Sequence, residues 1–424
     1  MYSKSELFLE RSLKSIPLAS QTFSKSLTQY PRGVSPFFIE KGEGSKVWDL
    51  DGNKYIDFVN SLAAVTLGYC DKDIDEAVQN QLKNGVTFSL PHALETKLAE
   101  KLIDIIPCAE KVRFAKNGTD ATSAAVRIAR AYTGKEHIAV CGYHGWQDWY
   151  IGSTTRDLGV PKAVKDLTHK FEYNNIESLE KIFQKFDLAC VIMEPMNIEY
   201  PKKDFLEGVK KITNKNKALL VFDETVTGFR YSLGGAQEFF GVIPDMATFG
   251  KGMANGYPLS AVVGSDDVMK KVEDIFFSGT FGGETLSLAA ANAVIEKYKQ
   301  CNVINHLDEV GSYLLDKLSD LINDNDLSDV FYVSGHPAWS FLHIKEQENY
   351  TTLEIKTFFL QECFKRGILT LGLHNMSFSH TKEDIDRLLE VYLEVLPLIK
   401  KYINSKALLE NIHGEILKPL FKVR

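Results

Sequence analysis

Between residues 76 and 300 two kinds of segment alternate along the chain. Stretches with apolar residues at helical spacing (93–106, 119–132, 176–186 and 204–214) are separated by short unbroken apolar runs at 137–141, 188–193, 218–222 and 259–263. A strand with one wet face would alternate apolar and polar positions, whereas an unbroken run fits a strand covered on both faces. Such runs between amphipathic helices predict an α/β domain whose sheet is mostly parallel and flanked by helices. A longer helix is expected over 286–299. The pattern changes on either side. Residues 1–75 combine a polar helical opening with strand-like pieces at 37–39 and 46–50, and Asp51-Gly52-Asn53 has the chemistry of a hairpin turn. Beyond 305 helical spacing dominates, with a strand candidate at 339–344 and an amphipathic helix over 384–402. The expected division is an N-terminal segment (1–75, part of the small domain and of subunit contacts), a large domain (76–305) and a smaller α+β domain (306–424).

Composition adds limits to this picture. With 424 residues, 44% of them hydrophobic and 25% charged, the chain can bury a large core without staples. A net charge of −7, spread along the sequence, argues against a general nucleic-acid surface. The six cysteines (70, 108, 141, 190, 301 and 363) form no Cys-x-x-Cys pair and no zinc spacing, so reduced cysteines and no metal site are expected. The first residues lack the long apolar stretch of a signal peptide, and no apolar run spans a bilayer. A cytoplasmic protein that does not enter membranes is the expectation.

Candidate chemistry sits where the apolar runs end, which is where ligands bind in α/β sheets. The run 188–193 leads into Glu194-Pro195, and 218–222 leads into Asp223-Glu224-Thr225. By itself Asp223 reads as a helix cap, as a satisfied loop carboxylate, or as the partner of a cationic ring nitrogen or a metal. Lys251 stands between Gly250 and Gly252; alone it is a turn lysine or a Schiff-base lysine. Asn117-Gly118-Thr119 opens the helical stretch at 119–132 and offers amides and a hydroxyl to an anion, or else simply caps the helix. Tyr143-His144-Gly145-Trp146 follows a strand candidate and offers an aromatic face, and 278–283 is a glycine-rich loop before a helix.

Taken together these motifs resemble the class III aminotransferase family of fold-type-I pyridoxal 5'-phosphate (PLP) enzymes, whose fold is aspartate aminotransferase-like. Within it the chain is most similar to the glutamate-1-semialdehyde aminomutase-like branch. The resemblance spans about 31–386. It rests on Asn117-Gly-Thr-Asp-Ala-Thr122 with Arg127 and Arg130, Tyr143-His-Gly145, Glu194-Pro195, the run from Phe222 to Arg230, Gly234-Gly-Ala-Gln237, Gly250-Lys-Gly252, Gly279-Thr280 and Ser379-His-Thr381.

That resemblance implies a role for each position. Lys251 would hold PLP as a Schiff base and carry the proton, with pyridoxamine phosphate as the aminated form. Asp223 would pair with the pyridine nitrogen. Asn117, Gly118 and Thr119 would form the phosphate cup. Tyr143 and Thr225 would flank the ring, and Glu194 would orient its neighbours. Thr280 would reach the phosphate of a second subunit, which implies a homodimer. Some positions depart from the family's usual residues. Asn117 and Asp120 replace a serine and a glutamate, Gly282-Gly-Glu-Thr285 replaces Ser-Gly-Asn-Pro, Phe37 and Phe38 stand near the place where aminomutases carry a substrate arginine, with Arg32 earlier, and Leu62 replaces their tryptophan. The expected activity is therefore ping-pong transfer between an amino donor and a small carbonyl acceptor. Alternatives are intramolecular aminomutation, a PLP lyase, or a non-catalytic relative, which the intact lysine, aspartate and cup argue against. Arg32, Trp146, Gln147 and His374 are candidate substrate contacts.

Overall fold

The computed structural model describes residues 1–419. It divides into two compact units, one built from Lys72–Ile304 and the other from Met1–Asp71 with residues 305–419.

The first unit is organised on a seven-stranded sheet. Its spatial order is Lys111–Ala115, Ser260–Gly264, Met246–Phe249, Leu219–Asp223, Leu188–Met193, His137–Cys141 and Thr168–Lys170. Ser260–Gly264 runs antiparallel to both neighbours, and every other pair is parallel. Four adjacent strands, from Ser260–Gly264 to Leu188–Met193, are buried at every position, which is why three of them appear as unbroken apolar runs. The carboxyl ends of His137–Cys141, Leu188–Met193, Leu219–Asp223 and Met246–Phe249 share one edge of the sheet, and residues 142, 194, 224 and 250 leave from it.

The helix Gly118–Thr133 packs on this sheet through a face rich in small residues, Ala121, Ala124, Ala125 and Ala129, which lets its backbone come close. Asn117 and Asp120 form a capping box at its start, and Gly134 ends it at φ +70°. Asp120 Oδ2 accepts from the Asn117 amide at 2.8 Å. The helix Thr285–Cys301 is started in the same way by Glu284, which accepts from the amides of Leu286 (2.6 Å) and Ser287 (3.2 Å) and pairs with Lys116 Nζ at 2.9 Å.

In the second unit Ile39–Glu43, Lys46–Asp49 and Lys54–Asp57 form an antiparallel meander, joined by the parallel strand Ile368–Leu369. The turn at 51–53 is fixed by Asp49 Oδ1, which accepts from the amides of Asp51 (3.0 Å) and Asn53 (2.8 Å). A second antiparallel sheet, Phe331–His336, Trp339–Ile344 and Leu373–Asn375, accompanies the helices Thr352–Lys365 and Lys382–Asn404. Asn60, Ser61, Leu62 and Ala63 form a left-handed turn with φ between 45° and 68°. Asp57 Oδ1 holds its entrance by accepting from the amides of Val59 (2.7 Å) and Asn60 (3.0 Å), which offsets a strain of roughly 1–2 kcal/mol per residue. Among the described residues no helix is long and apolar enough to cross a membrane.

Candidate active site

Asp223 ends a wholly buried strand, and its own side chain is buried. Oδ1 accepts from Thr225 N (3.1 Å), Thr225 Oγ1 (2.6 Å) and Thr248 Oγ1 (3.1 Å), and Oδ2 lies 2.9 Å from His144 Nδ1. Burial opposes ionisation, but it is outweighed by the bond and charge from His144 and by the two Thr225 donors. Asp223 is held below the usual carboxylate range. The other ring nitrogen of His144, Nε2, lies 3.2 Å from the carbonyl of Cys141. Both ring nitrogens therefore have a polar partner.

Thr225 links Asp223 to the head of the helix and to the lysine turn. A Cβ placed on Gly118 would stand 2.9 Å from Thr225 Cγ2, and one placed on Gly250 would stand 3.4 Å from the same methyl. Ser260 Oγ donates to the carbonyl of Asn117 at 2.7 Å and closes the far side. Lys251 follows Gly250 directly and starts a short 3₁₀ turn, Lys251–Ala254, with φ +44° and a half-buried side chain. A non-glycine residue in the left-handed region is an outlier that surrounding structure must enforce.

The loop 142–146 is tied to the same helix head. Glu194 Oε2 accepts from Tyr143 N (3.0 Å) and Asn197 Nδ2 (2.8 Å). Thr119 Oγ1 accepts from Trp146 N (3.2 Å), so its own proton remains to be donated, and Thr122 Oγ1 donates to the His144 carbonyl (2.8 Å). Gly145 has φ +101°, and a Cβ there would stand 2.4 Å from Thr119 Oγ1. Gly145→Ala is therefore expected to displace Thr119 and destabilise the fold by roughly 1–3 kcal/mol, visible as a lower urea midpoint with an unchanged slope.

This cluster suits a planar, phosphorylated, cationic ring. Glycines at 118 and 145 let Thr225 and Thr119 pack close against the backbone at the start of a helix, where amides and the helix dipole favour a phosphate. A buried carboxylate sits at Asp223, and the Gly250-Lys251 turn passes the methyl of Thr225 at Gly250. Tyr143 is 40% exposed, its ring edge-on to Tyr150 at 5.7 Å. Among the described residues no group of three or more His, Cys, Asp or Glu side chains is placed to hold a metal.

The remaining candidates lie elsewhere. Thr280 is exposed on the loop that walls a cavity of about 740 Å³, facing Asp120, Ser123 and Arg127. Gln147 lines that cavity too, while Lys251, Asp223, Thr119 and Tyr143 do not. Trp146 is 65% exposed. Arg32 pairs through Nε with Glu6 (3.2 Å) and through Nη2 with Glu10 (3.6 Å). His374 is fully buried, with Nδ1 3.1 Å from Ser340 Oγ and Nε2 3.0 Å from Tyr392 OH, so neither nitrogen remains for a substrate. His144, Thr248 and Ser260 had no assigned role in the sequence; His144 alone left a trace there, as the residue next to Tyr143.

A sequence model of the family described as Aminotransferase class-III matches residues 29–391. The 3-aminobutyryl-CoA aminotransferase of Cloacimonas acidaminovorans (strain Evry) is 35% identical over 381 residues, covering 87% of this chain and 91% of that protein. A glutamate-1-semialdehyde 2,1-aminomutase of Methanothrix thermoacetophila is 37% identical over 385 residues, covering 84% and 89%. Among solved structures, the PLP internal aldimine form of the Sphingopyxis sp. MTA144 FumI protein superposes with a TM-score of 0.88 at 26% identity, covering 95% of this chain and 98% of that one.

Proposed function

The chain belongs to the class III aminotransferases, enzymes that use pyridoxal 5'-phosphate, and from that premise we propose that Lys251 carries the cofactor and the transferred proton. When bound, the cofactor supplies an aldehyde that takes up amino groups and a ring that withdraws electrons. Asp223 would keep the ring nitrogen protonated, backed by His144 behind it. Gly118 and Thr119, with Asn117 as the cap, would bind the phosphate through amides and the Thr119 hydroxyl. Tyr143 and Thr225 would hold the ring between them, and Glu194 would fix Tyr143 through its amide. Lys251 Nζ would hold a proton and return it to the neighbouring carbon. The observation that carries this reading is Thr225, which bonds to Asp223 while touching the positions of Gly118 and Gly250.

The reaction is the movement of an amino group from a donor to a small carbonyl acceptor. Its test is absorbance: an amino donor should bleach the visible band of the holoenzyme, and a carbonyl acceptor should restore it. A protein that stays colourless after cofactor addition contradicts the proposal. A second reading, intramolecular aminomutation, is favoured by the relatives that carry that name. Conversion of glutamate-1-semialdehyde without a co-substrate would select it.

We further propose a homodimer in which Thr280 of one protomer serves the phosphate site of the other. In support, Phe276 (82% exposed) and Phe281 (59%) flank Thr280 on one uncovered loop. Thr280→Ala is expected to weaken cofactor retention roughly 10–100-fold, the worth of one hydrogen bond to a charged group. Spectroscopic titration of the apo form measures it. A reducing, cytoplasmic setting fits six cysteines that are all unpaired.

A further inference from the structure

The unit that contains neither Lys251 nor Asp223 has a cavity of its own, of about 220 Å³. It lies among the strand Trp339–Ile344, the first turns of the helix Thr352–Lys365 and the turn at Leu371 and Gly372. Leu342, Ile344, Leu353, Phe359 and Leu371 make its walls apolar, and no carboxylate lines it.

Lys356 is the one full positive charge in this lining, and it makes no hydrogen bond or ion pair among the described residues. Its side chain is partly buried, and the loss of water around it holds the ammonium below the usual lysine range. An ammonium in apolar surroundings without a counter-charge is costly, and an anion entering the cavity would remove that cost. His343 also lines the cavity, but its Nε2 is 2.7 Å from Ser334 Oγ, its ring stacks on Tyr332 at 4.4 Å, and burial keeps it neutral near pH 7. Thr352 and Leu353 begin the helix at the same wall, where the Glu354 carboxylate is turned back onto the Thr351 amide (2.8 Å) and hydroxyl (2.9 Å). As for size, a dry cavity of about 150 Å³ holds benzene. The volume here leaves room for a ring and a carboxylate.

We propose that this cavity binds a small monocarboxylic acid of benzoate size, its carboxylate on Lys356 and its hydrocarbon body against Leu342, Ile344, Leu353, Phe359 and Leu371. The site is separate from amino transfer and does not depend on that reading.

Benzoate is the probe. Holoenzyme is treated with limiting acetic anhydride near neutral pH, and acetylation at each lysine is followed by peptide mass spectrometry as benzoate is increased. Labelling of Lys356 should slow saturably, by about 10-fold or more, as expected for a charge-assisted pair. Exposed Lys203 is the internal reference and should be unaffected. Benzyl alcohol, of equal size but without charge, should leave Lys356 labelling unchanged. Benzoate without effect on Lys356 overturns the proposal. Equal protection by benzyl alcohol overturns it too, since the cavity would then be an apolar hole with no carboxylate recognition.

Discussion

Lys251→Ala is expected to reduce amino transfer by about 10³-fold or more, because proton transfer by a positioned group alone accounts for 10²–10⁴. Covalent attachment of the cofactor is lost at the same time. Lys251→Arg separates charge from chemistry: it keeps a cation, but a guanidinium neither forms the imine nor exchanges protons near neutral pH, so it should be equally inactive. Neither change should unfold the protein, since Lys251 is half-buried in a turn that follows the buried strand Met246–Phe249. Steady-state rates together with circular dichroism check both points. A Lys251→Ala enzyme that kept most of its activity would remove the lysine from the mechanism.

The second large effect is expected at Asp223. Asp223→Asn removes the buried charge and turns an amide –NH₂ toward one of the donors Thr225, Thr248 or His144. Turnover should fall by about 10³-fold, the scale on which fixed electrostatic groups act in closed sites. The cofactor should remain attached to Lys251, so the loss appears in kcat rather than in occupancy. Stability should change as well, in a pH-dependent way. The folded-state pKa of Asp223 lies below its unfolded value. Its ionised form therefore stabilises the fold at pH values above the unfolded pKa of about 3.9, and that contribution is lost as pH falls through the lower folded value. Urea midpoints of wild type and Asp223→Asn should differ by a constant amount from pH 7 down to about 5, then converge in more acidic solution. A difference that grows with acidification would contradict the assigned ionisation.

How much of this was legible in the sequence depends on burial. Leu188–Met193 and Leu219–Asp223 are buried at every residue, and so they stand out as apolar runs with an acid at or just after the end. Lys111–Ala115 is partly exposed and carries Lys111 and Arg113, and Phe331–His336 is buried only at its two ends, so neither imprints a recognisable period. Met246–Phe249 is fully buried but only four residues long, too short to mark itself. The lysine, the aspartate and the helix head are visible because special chemistry follows regular elements. The partners that tune them are not. His144 meets Asp223 across 79 residues of sequence, and only the parallel pairing of their strands with Leu188–Met193 brings them together. Arg32 and His374 show the reverse case. Each is a plausible substrate group in one dimension, yet long-range neighbours claim it: Glu6 pairs with Arg32, and Ser340 and Tyr392 occupy both nitrogens of His374.

The most direct test of the central assignment is borohydride reduction of the holoenzyme followed by peptide mass spectrometry. A single pyridoxyl-phosphate addition is expected, on Lys251, with the visible band lost in proportion. An addition on another lysine, or none while the band disappears, would contradict it.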